Sequence, residues 1–301
     1  MQKTNIDIYA PLIQQIGNIL TANVQRIERT GLLYGHIGVM LFLYHYARYT
    51  GIAQYEDEAE SILDFVAEDH LKKMRRTFFD GLYGIGWAIK HLMKHQFVET
   101  DDKTLSDYDC IASQRYTNAD ILVDTQCDVP VFSKGLYCFD LQNQKAVADA
   151  LVLIQFFTSN DFNEKLDIGF LNSIMYFLKH CLLSDQYGHK CLDLLNQLQA
   201  KYKKAIEQGN YEPIDIVFLN KFKDLGLIKV TTPKIAINPL SDVFSSWQSI
   251  VYEGLIDNIN LPSPTEIQEH IDAININMPV KQLSLQGLSA LGINLIQRAS
   301  L

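Results

Sequence analysis

Glycine recurs in this chain just ahead of apolar stretches of helical period, and that pairing limits what the chain can fold into. In FFDGLYGIGWAIKHL, from Phe78 to Leu92, Gly81, Gly84 and Gly86 open such a stretch. Glycine inside a helix costs roughly 1 kcal/mol against alanine, so its repeated use implies a need for close backbone approach, or for positive φ at the turn entering the helix. Gly35 and Gly84 lie 49 positions apart, and Gly84 and Gly135 lie 51 apart. Weaker copies stand in DIGFLNSIMYFLKHC and in SLQGLSALGINLIQ, which carries Gly287 and Gly292. Dividing the 301 residues by this interval gives about six helical hairpins.

The stretches between the glycines alternate in character. Leu12, Ile13, Ile16, Ile19, Leu20, Val24 and Ile27 fall at offsets of three and four, which predicts an amphipathic helix ending before Gly31. GLLYGHIGVMLFLYHYARYTG is apolar nearly all round, as expected of a helix enclosed by others. QYEDEAESILDFVAEDHLKKM returns to two faces, with Ala59, Ile62, Leu63 and Val66 inside. Ile85, Ala88, Ile89, Leu92 and Phe97 then form one stripe again. Strand signals are sparse: LGLIKVTTPKIAINPL, from Leu225 to Leu240, reads as a loop or short ribbon, and residues 211–264 read as the least regular segment. No low-complexity linker divides the chain, so residues 1–301 read as a single all-α domain.

Composition excludes several classes. Hydrophobic residues make up 48%, enough for a full core, and the net charge of −9 leaves no basic stripe for a nucleic-acid partner. The most apolar run, IGVMLFLYHYA, is too short for a membrane span, and the N-terminus has no signal-peptide pattern. Cys110, Cys127, Cys138, Cys181 and Cys191 form no disulfide framework and fit reduced thiols. A cytoplasmic location is expected. GLYGIG is no dinucleotide fingerprint, because no strand precedes it.

GLLYGHIGVMLFLYHYARYTGIAQYEDEA and FFDGLYGIGWAIKHLMKHQFVETDD resemble the lanthionine synthetase C-like family, in particular its cytosolic bacterial members. The resemblance covers residues 30 to 110 best, extends to 284–298, and is thin between. It implies an α/α toroid in which glycine-led inner helices ring a cavity and amphipathic outer helices wrap them. It also implies peptide cyclisation: a zinc ion on two cysteines and a histidine activates a substrate thiolate, which adds to a dehydrated serine or threonine.

The zinc ligands do not carry over. The family's first cysteine follows a Ser-Trp pair, where SSWQS places Gln248, and no cysteine follows Cys191 to supply a Cys-His-Gly segment. The family's histidine in Gly-Leu-Ala-His-Gly would fall on Tyr34 if GLLYGHIG is the equivalent copy, with His36 two places away. No cofactor is therefore expected. KHCLLSDQYGHKC gathers His180, Cys181, His189 and Cys191, donors that suit zinc, although a buried thiol explains Cys181 as readily.

The remaining candidates are single residues at the mouth of the expected cavity: Tyr34, His36, Asp80 and Trp87. Asp80 reads as the N-cap of the helix that follows, or as a carboxylate for a cationic peptide group. Trp87 reads as core or as a stacking platform. Asp80 with Asp124 or Asp140 would supply the paired carboxylates of a glycosidase. The leading expectation is a degenerate, zinc-free member that binds a peptide or protein substrate in the toroid cavity and assists its modification. The alternatives are an active enzyme with a non-standard site and an interaction scaffold docked through its acidic outer face.

Overall fold

A computed structural model of the chain describes residues 6–69, 77–99, 144–159, 166–182, 186–255, 260–277 and 279–299. All regular structure among these residues is helical, as the periodicity predicts. In chain order the α-helices are α1 (Ile6–Asn23), α2 (His36–Thr50), α3 (Ala53–Asp69), α4 (Leu82–Lys94), α5 (Gln144–Thr158), α6 (Ile168–Cys181), α7 (Gly188–Gln208), α8 (Pro213–Asp224), α9 (Trp247–Val251), α10 (Pro264–Asn277) and α11 (Leu288–Ala299). A π-helical turn spans Pro239–Phe244. None of the described helices is long and apolar enough to cross a membrane. The Gly135 copy, Cys110, Cys127, Cys138, Asp124 and Asp140 lie outside the described residues.

The chain divides into two compact units, one made of residues 1–100 with 238–301 and the other of residues 101–237. In the first, α2 is the enclosed helix: every residue from Ile37 to Ala47 is buried. It lies against α3 and α11 and also meets α1 and α4, while α1 packs on α10 and α11. The C-terminal helix thus stands beside the N-terminal ones. In α3 Glu56, Asp57, Glu60 and Asp64 stay exposed while Ala59, Ile62 and Val66 turn inward; Leu63, expected inside, is half-buried.

The glycines act through close approach. A Cβ on Gly84 would overlap the Phe78 carbonyl, and one on Gly38 would collide with Ser284 Oγ and the backbones of Leu32 and Leu285. Positive φ plays no part at the helix starts: the N-caps Gly35 and Gly81 have φ of −130° and −139°, extended backbone open to any residue. These two N-caps, and not Gly35 and Gly84, are structurally equivalent. The repeat is therefore shorter than the 49 residues read from the sequence, because Gly84 lies inside its helix and matches Gly38.

Three glycine-led turns lie edge to edge. The Leu33 N–H donates to the Phe79 carbonyl (2.9 Å) and the Gln286 N–H to the Leu33 carbonyl (3.1 Å). The Ser284 hydroxyl adds a bond to the Gly35 carbonyl (2.6 Å). These contacts join the turns preceding α2, α4 and α11.

In the second unit α6 lies against α7 and α8, and α7 also packs on α5. Asp167 caps α6 by accepting the Phe170 N–H. Asn172, buried in α6, donates to the Asp215 carbonyl at 2.8 Å and accepts from the Tyr202 hydroxyl at 3.1 Å. Pro213 occupies the first turn of α8, where its missing N–H is no loss, and Glu212 and Asp215 form a reciprocal capping box. Residues 225–238 carry no helix or strand, so the ribbon alternative for Leu225–Leu240 is not formed.

Candidate functional site

Tyr34 is half-buried in the turn before α2. His36 opens α2, its Nδ1–H donating to the Arg29 carbonyl at 2.9 Å. Its ring meets Phe65 edge-on and lines a groove of about 660 Å³ with Leu43, Glu58 and Phe65. The N–H groups of His36 and Ile37 are taken by the Arg29 and Thr30 carbonyls, so the start of α2 offers them to no anion. Asp80 is not the N-cap of α4. Gly81 holds that place without a side-chain bond, because the Asp80 carboxylate turns to Arg29 at 3.2 Å.

Of the donors of the 180–191 segment, the two thiols meet and the two histidines stand apart. Cys181 and Cys191 are buried free thiols. Hydrogen bonding to Cys191, with burial added, pushes the Cys181 thiol up. His189 is exposed, and His180 bonds the Tyr176 carbonyl on its own helix.

Trp87 leads to a different group. Its ring is buried and stacks on His91 with centroids 5.1 Å apart. His91, in the last turn of α4, and His95, at its C-cap, sit four residues apart in HLMKH, with ring centroids 4.4 Å from one another. Glu253 comes from the turn after α9. There Gly254 takes φ +73°, and Tyr252 and Leu255 are buried on either side, which fixes the carboxylate between them. Glu253 Oε1 stands 2.9 Å from His91 Nδ1 and accepts from His95 Nε2 at 3.1 Å, while Oε2 accepts from Lys94 at 2.5 Å. On the far side of the His91 ring, Nε2 lies 3.4 Å from His45 Nε2.

The exit of α4 holds this group in place. The chain reverses through Gln96 at φ +56°, with Gln96 N–H donating to the Met93 carbonyl and Phe97 N–H to the Leu92 carbonyl. The Arg48 guanidinium bonds the carbonyls of His95 (2.8 Å) and Gln96 (2.6 Å) and lies over the Phe97 ring.

Electrostatically the cluster is mixed. Burial pushes the Glu253 carboxyl up, but its contacts with His91, His95 and Lys94 outweigh that and hold it well below the usual carboxylate range. Burial lowers both His45 and His91; the neighbouring imidazoles push His45 further down, while the Glu253 carboxylate works against the shift at His91. Among the described residues, His91, His95 and Glu253 are the three-member group of metal-binding side chains whose ligand atoms lie within 4.8 Å of one another.

The zinc site implied by the family resemblance does not fit this chain. Gln248 follows Trp247, and Trp247 packs on Phe79 (4.9 Å) in the turn before α4; no thiol stands there. The residues that do converge escaped the sequence reading because His91 reads as core and Glu253 arrives from 158 positions beyond His95. The visible signal was the pair of histidines four apart. Compared with protein-family models, curated proteins and solved structures, the chain matches none.

Proposed function

We propose that this chain is a helical ring of the lanthionine synthetase C-like kind, without that family's zinc site, which binds a peptide in the cytoplasm and assists its modification. The observation that carries this reading is the row of three glycine-led turns bonded edge to edge, before α2, α4 and α11. Successive inner helices of a ring require such a row, because their starts crowd together and only glycine leaves room. Packing of α11 against both α1 and α2 supports the same geometry. The net charge of −9 favours a cationic peptide.

Fluorescence anisotropy with a labelled lysine-rich peptide containing Ser, Thr and Cys tests the reading, with a glutamate-rich peptide as control. Saturable, salt-sensitive binding of the cationic peptide is expected. Loss of one charged contact in Asp80→Asn weakens it about tenfold, or roughly 1.4 kcal/mol. Absence of saturable binding to either peptide overturns the proposal.

A further inference from the structure

We propose that His91, His95 and Glu253 form a binding site for a divalent transition cation of the zinc class, with three protein ligands and a fourth position open to solvent. This goes beyond the peptide-binding reading and stands independently of it.

Geometry comes first. Two ligand atoms each about 2.1 Å from a tetrahedral zinc lie about 3.4 Å apart. Oε1 of Glu253 is 2.9 and 3.1 Å from the two ring nitrogens, so these separations need open by only a few tenths of an ångström. His91 and His95 need no search for one another, since the last turn of α4 and its C-cap already set their ring centroids 4.4 Å apart.

The state of His91 points to a ligand. The residue is 4% exposed. Although Oε1 is 2.9 Å from Nδ1, that nitrogen is buried and makes no hydrogen bond of acceptable angle. A buried nitrogen left in that condition costs about 1–3 kcal/mol, and coordination to a cation would remove that cost. The other nitrogen is already supplied: Nε2 faces His45 Nε2 at 3.4 Å. With a cation in place, the His91 tautomer that donates from Nε2 to His45 is the one that turns the Nδ1 lone pair toward the metal. Fixing a ligand's tautomer through its far nitrogen is the usual task of an outer-shell partner.

The surroundings favour a cation. The site occupies the last turn of α4, where the carbonyl end of the helix carries partial negative charge. Arg48 takes up the His95 and Gln96 carbonyls and so clamps the backbone of the third ligand. Lys94 opposes a second cation, but its side chain is 64% exposed. It can swing into water, where screening weakens its effect, and it holds the oxygen that the imidazoles leave alone. Two imidazoles and one carboxylate suit zinc, iron or nickel better than calcium or magnesium. The side chains of His95 and Glu253 are 36% and 30% exposed, which puts the open position on the solvent side, as in zinc sites that keep a place for water or substrate.

The test uses the full chain, purified without a polyhistidine tag and stripped with chelator. Zn²⁺ is added in a calorimeter, and Co²⁺ is followed by its visible ligand-field spectrum. One equivalent should bind, with a tetrahedral cobalt spectrum. His95→Gln and Glu253→Gln, both at partly exposed positions, should each weaken binding at least about 100-fold, the top of the 10–100-fold range for a lost outer-shell partner; His45→Phe should fall within that range. Lys94→Gln should bind as tightly or more tightly, and the Cys181→Ser/Cys191→Ser double variant should bind unchanged.

Absence of one-to-one binding overturns the site and leaves the cluster as an ion-pair network. Binding that survives both ligand substitutions, or that is lost with the cysteines, overturns it by placing the metal elsewhere. The peptide anisotropy measured on the same stripped protein separates this failure from failure of the peptide reading.

Discussion

Helices α2 and α4 both begin at an uncapped glycine in extended conformation, Gly35 and Gly81, and both carry a second glycine three residues on, Gly38 and Gly84. Ten residues after each first glycine comes a histidine, His45 and His91, and these two meet at 3.4 Å. Beyond that point the copies part. Tyr49 stands in α2 where His95 stands at the C-cap of α4, and α2 leaves through Gly51 where α4 leaves through Gln96. The starts are held alike by the closeness of neighbouring turns, which admits no side chain. The exits are under no such constraint, and there one copy has acquired an imidazole, a carboxylate partner and a guanidinium clamp. In this unit the shared half of the repeat builds the frame and the divergent half carries the chemistry.

If the starts are equivalent, both should fail when a methyl group is added, and Gly84 should fail harder. Gly84→Ala places a Cβ against the Phe78 carbonyl, which is backbone and cannot move aside. Gly38→Ala meets Ser284 Oγ first, a hydroxyl that can rotate, and then the Leu32 and Leu285 backbones. Overpacking costs about 1–3 kcal/mol and occasionally more, against roughly 1 kcal/mol of helix propensity gained. A Cβ overlapping a carbonyl oxygen exceeds the ordinary case, so overpacking of about 5 kcal/mol at Gly84 and about 3 kcal/mol at Gly38 leaves net losses of about 4 and about 2 kcal/mol, read from urea midpoints at constant slope. A neutral result at both positions would break the equivalence.

A third helix start, in the other unit, sharpens the contrast. α6 has a true cap in Asp167, and a Cβ on its Gly169 would lie 2.8 Å from a carboxylate oxygen of Asp215. Here the close neighbour is a titrating group and not a carbonyl. Burial pushes Asp215 up to about 6; the Glu212 N–H opposes this, and the charges of Asp167 and Glu212 add to it. For a carboxyl raised from 3.8 to about 6, the native state is favoured fully below pH 3.8, and that advantage disappears as pH rises through 6. The swing is about 3 kcal/mol. Asp215→Asn keeps an oxygen for the Glu212 N–H and removes the charge. Its stability relative to wild type should therefore rise by about 3 kcal/mol between about pH 4 and about pH 8. A difference that does not change with pH would show that Asp215 is not desolvated in the folded chain.

The sequence was legible where one element decides the matter. Periodicity separated the enclosed α2 from the two-faced α3, and the glycines announced close approach, because both follow from which residues a helix can bury. The register of the repeat was misread since Gly84, a glycine inside its helix, looks the same in the sequence as the N-cap Gly81. Asp80 looked like a cap because its partner Arg29 lies 51 residues away. The His91 group was harder still. His91 falls on the apolar stripe of α4, Glu253 belongs to a short turn with no signature, and the meaning of His45 emerges only once the repeat is aligned on Gly35 and Gly81. Contacts of long separation along the chain leave no periodic trace.

The smallest effect concerns the exits themselves. Gly51 and Gln96 both adopt positive φ, +71° and +56°, a region that costs a residue with a side chain about 1–2 kcal/mol. Nothing crowds the Cβ position at Gly51, so Gly51→Ala is a pure test of conformation, and a loss of about 1 kcal/mol is expected. Gln96→Gly runs the other way. It relieves the strain but gives the unfolded chain more freedom, worth about 0.4–1 kcal/mol, which leaves a gain of about 0.5 kcal/mol. Opposite signs in thermal or urea unfolding would show that α4 tolerates strain at its exit which α2 avoids. Strain of this kind persists where surrounding contacts over-determine the backbone, and Arg48 supplies two such contacts at this turn. Truncating that guanidinium in Arg48→Met lets the turn relax, and should therefore shrink the gain from Gln96→Gly when the two changes are combined. Strict additivity of the two would separate the clamp from the strain and return the exits of α2 and α4 to equivalence.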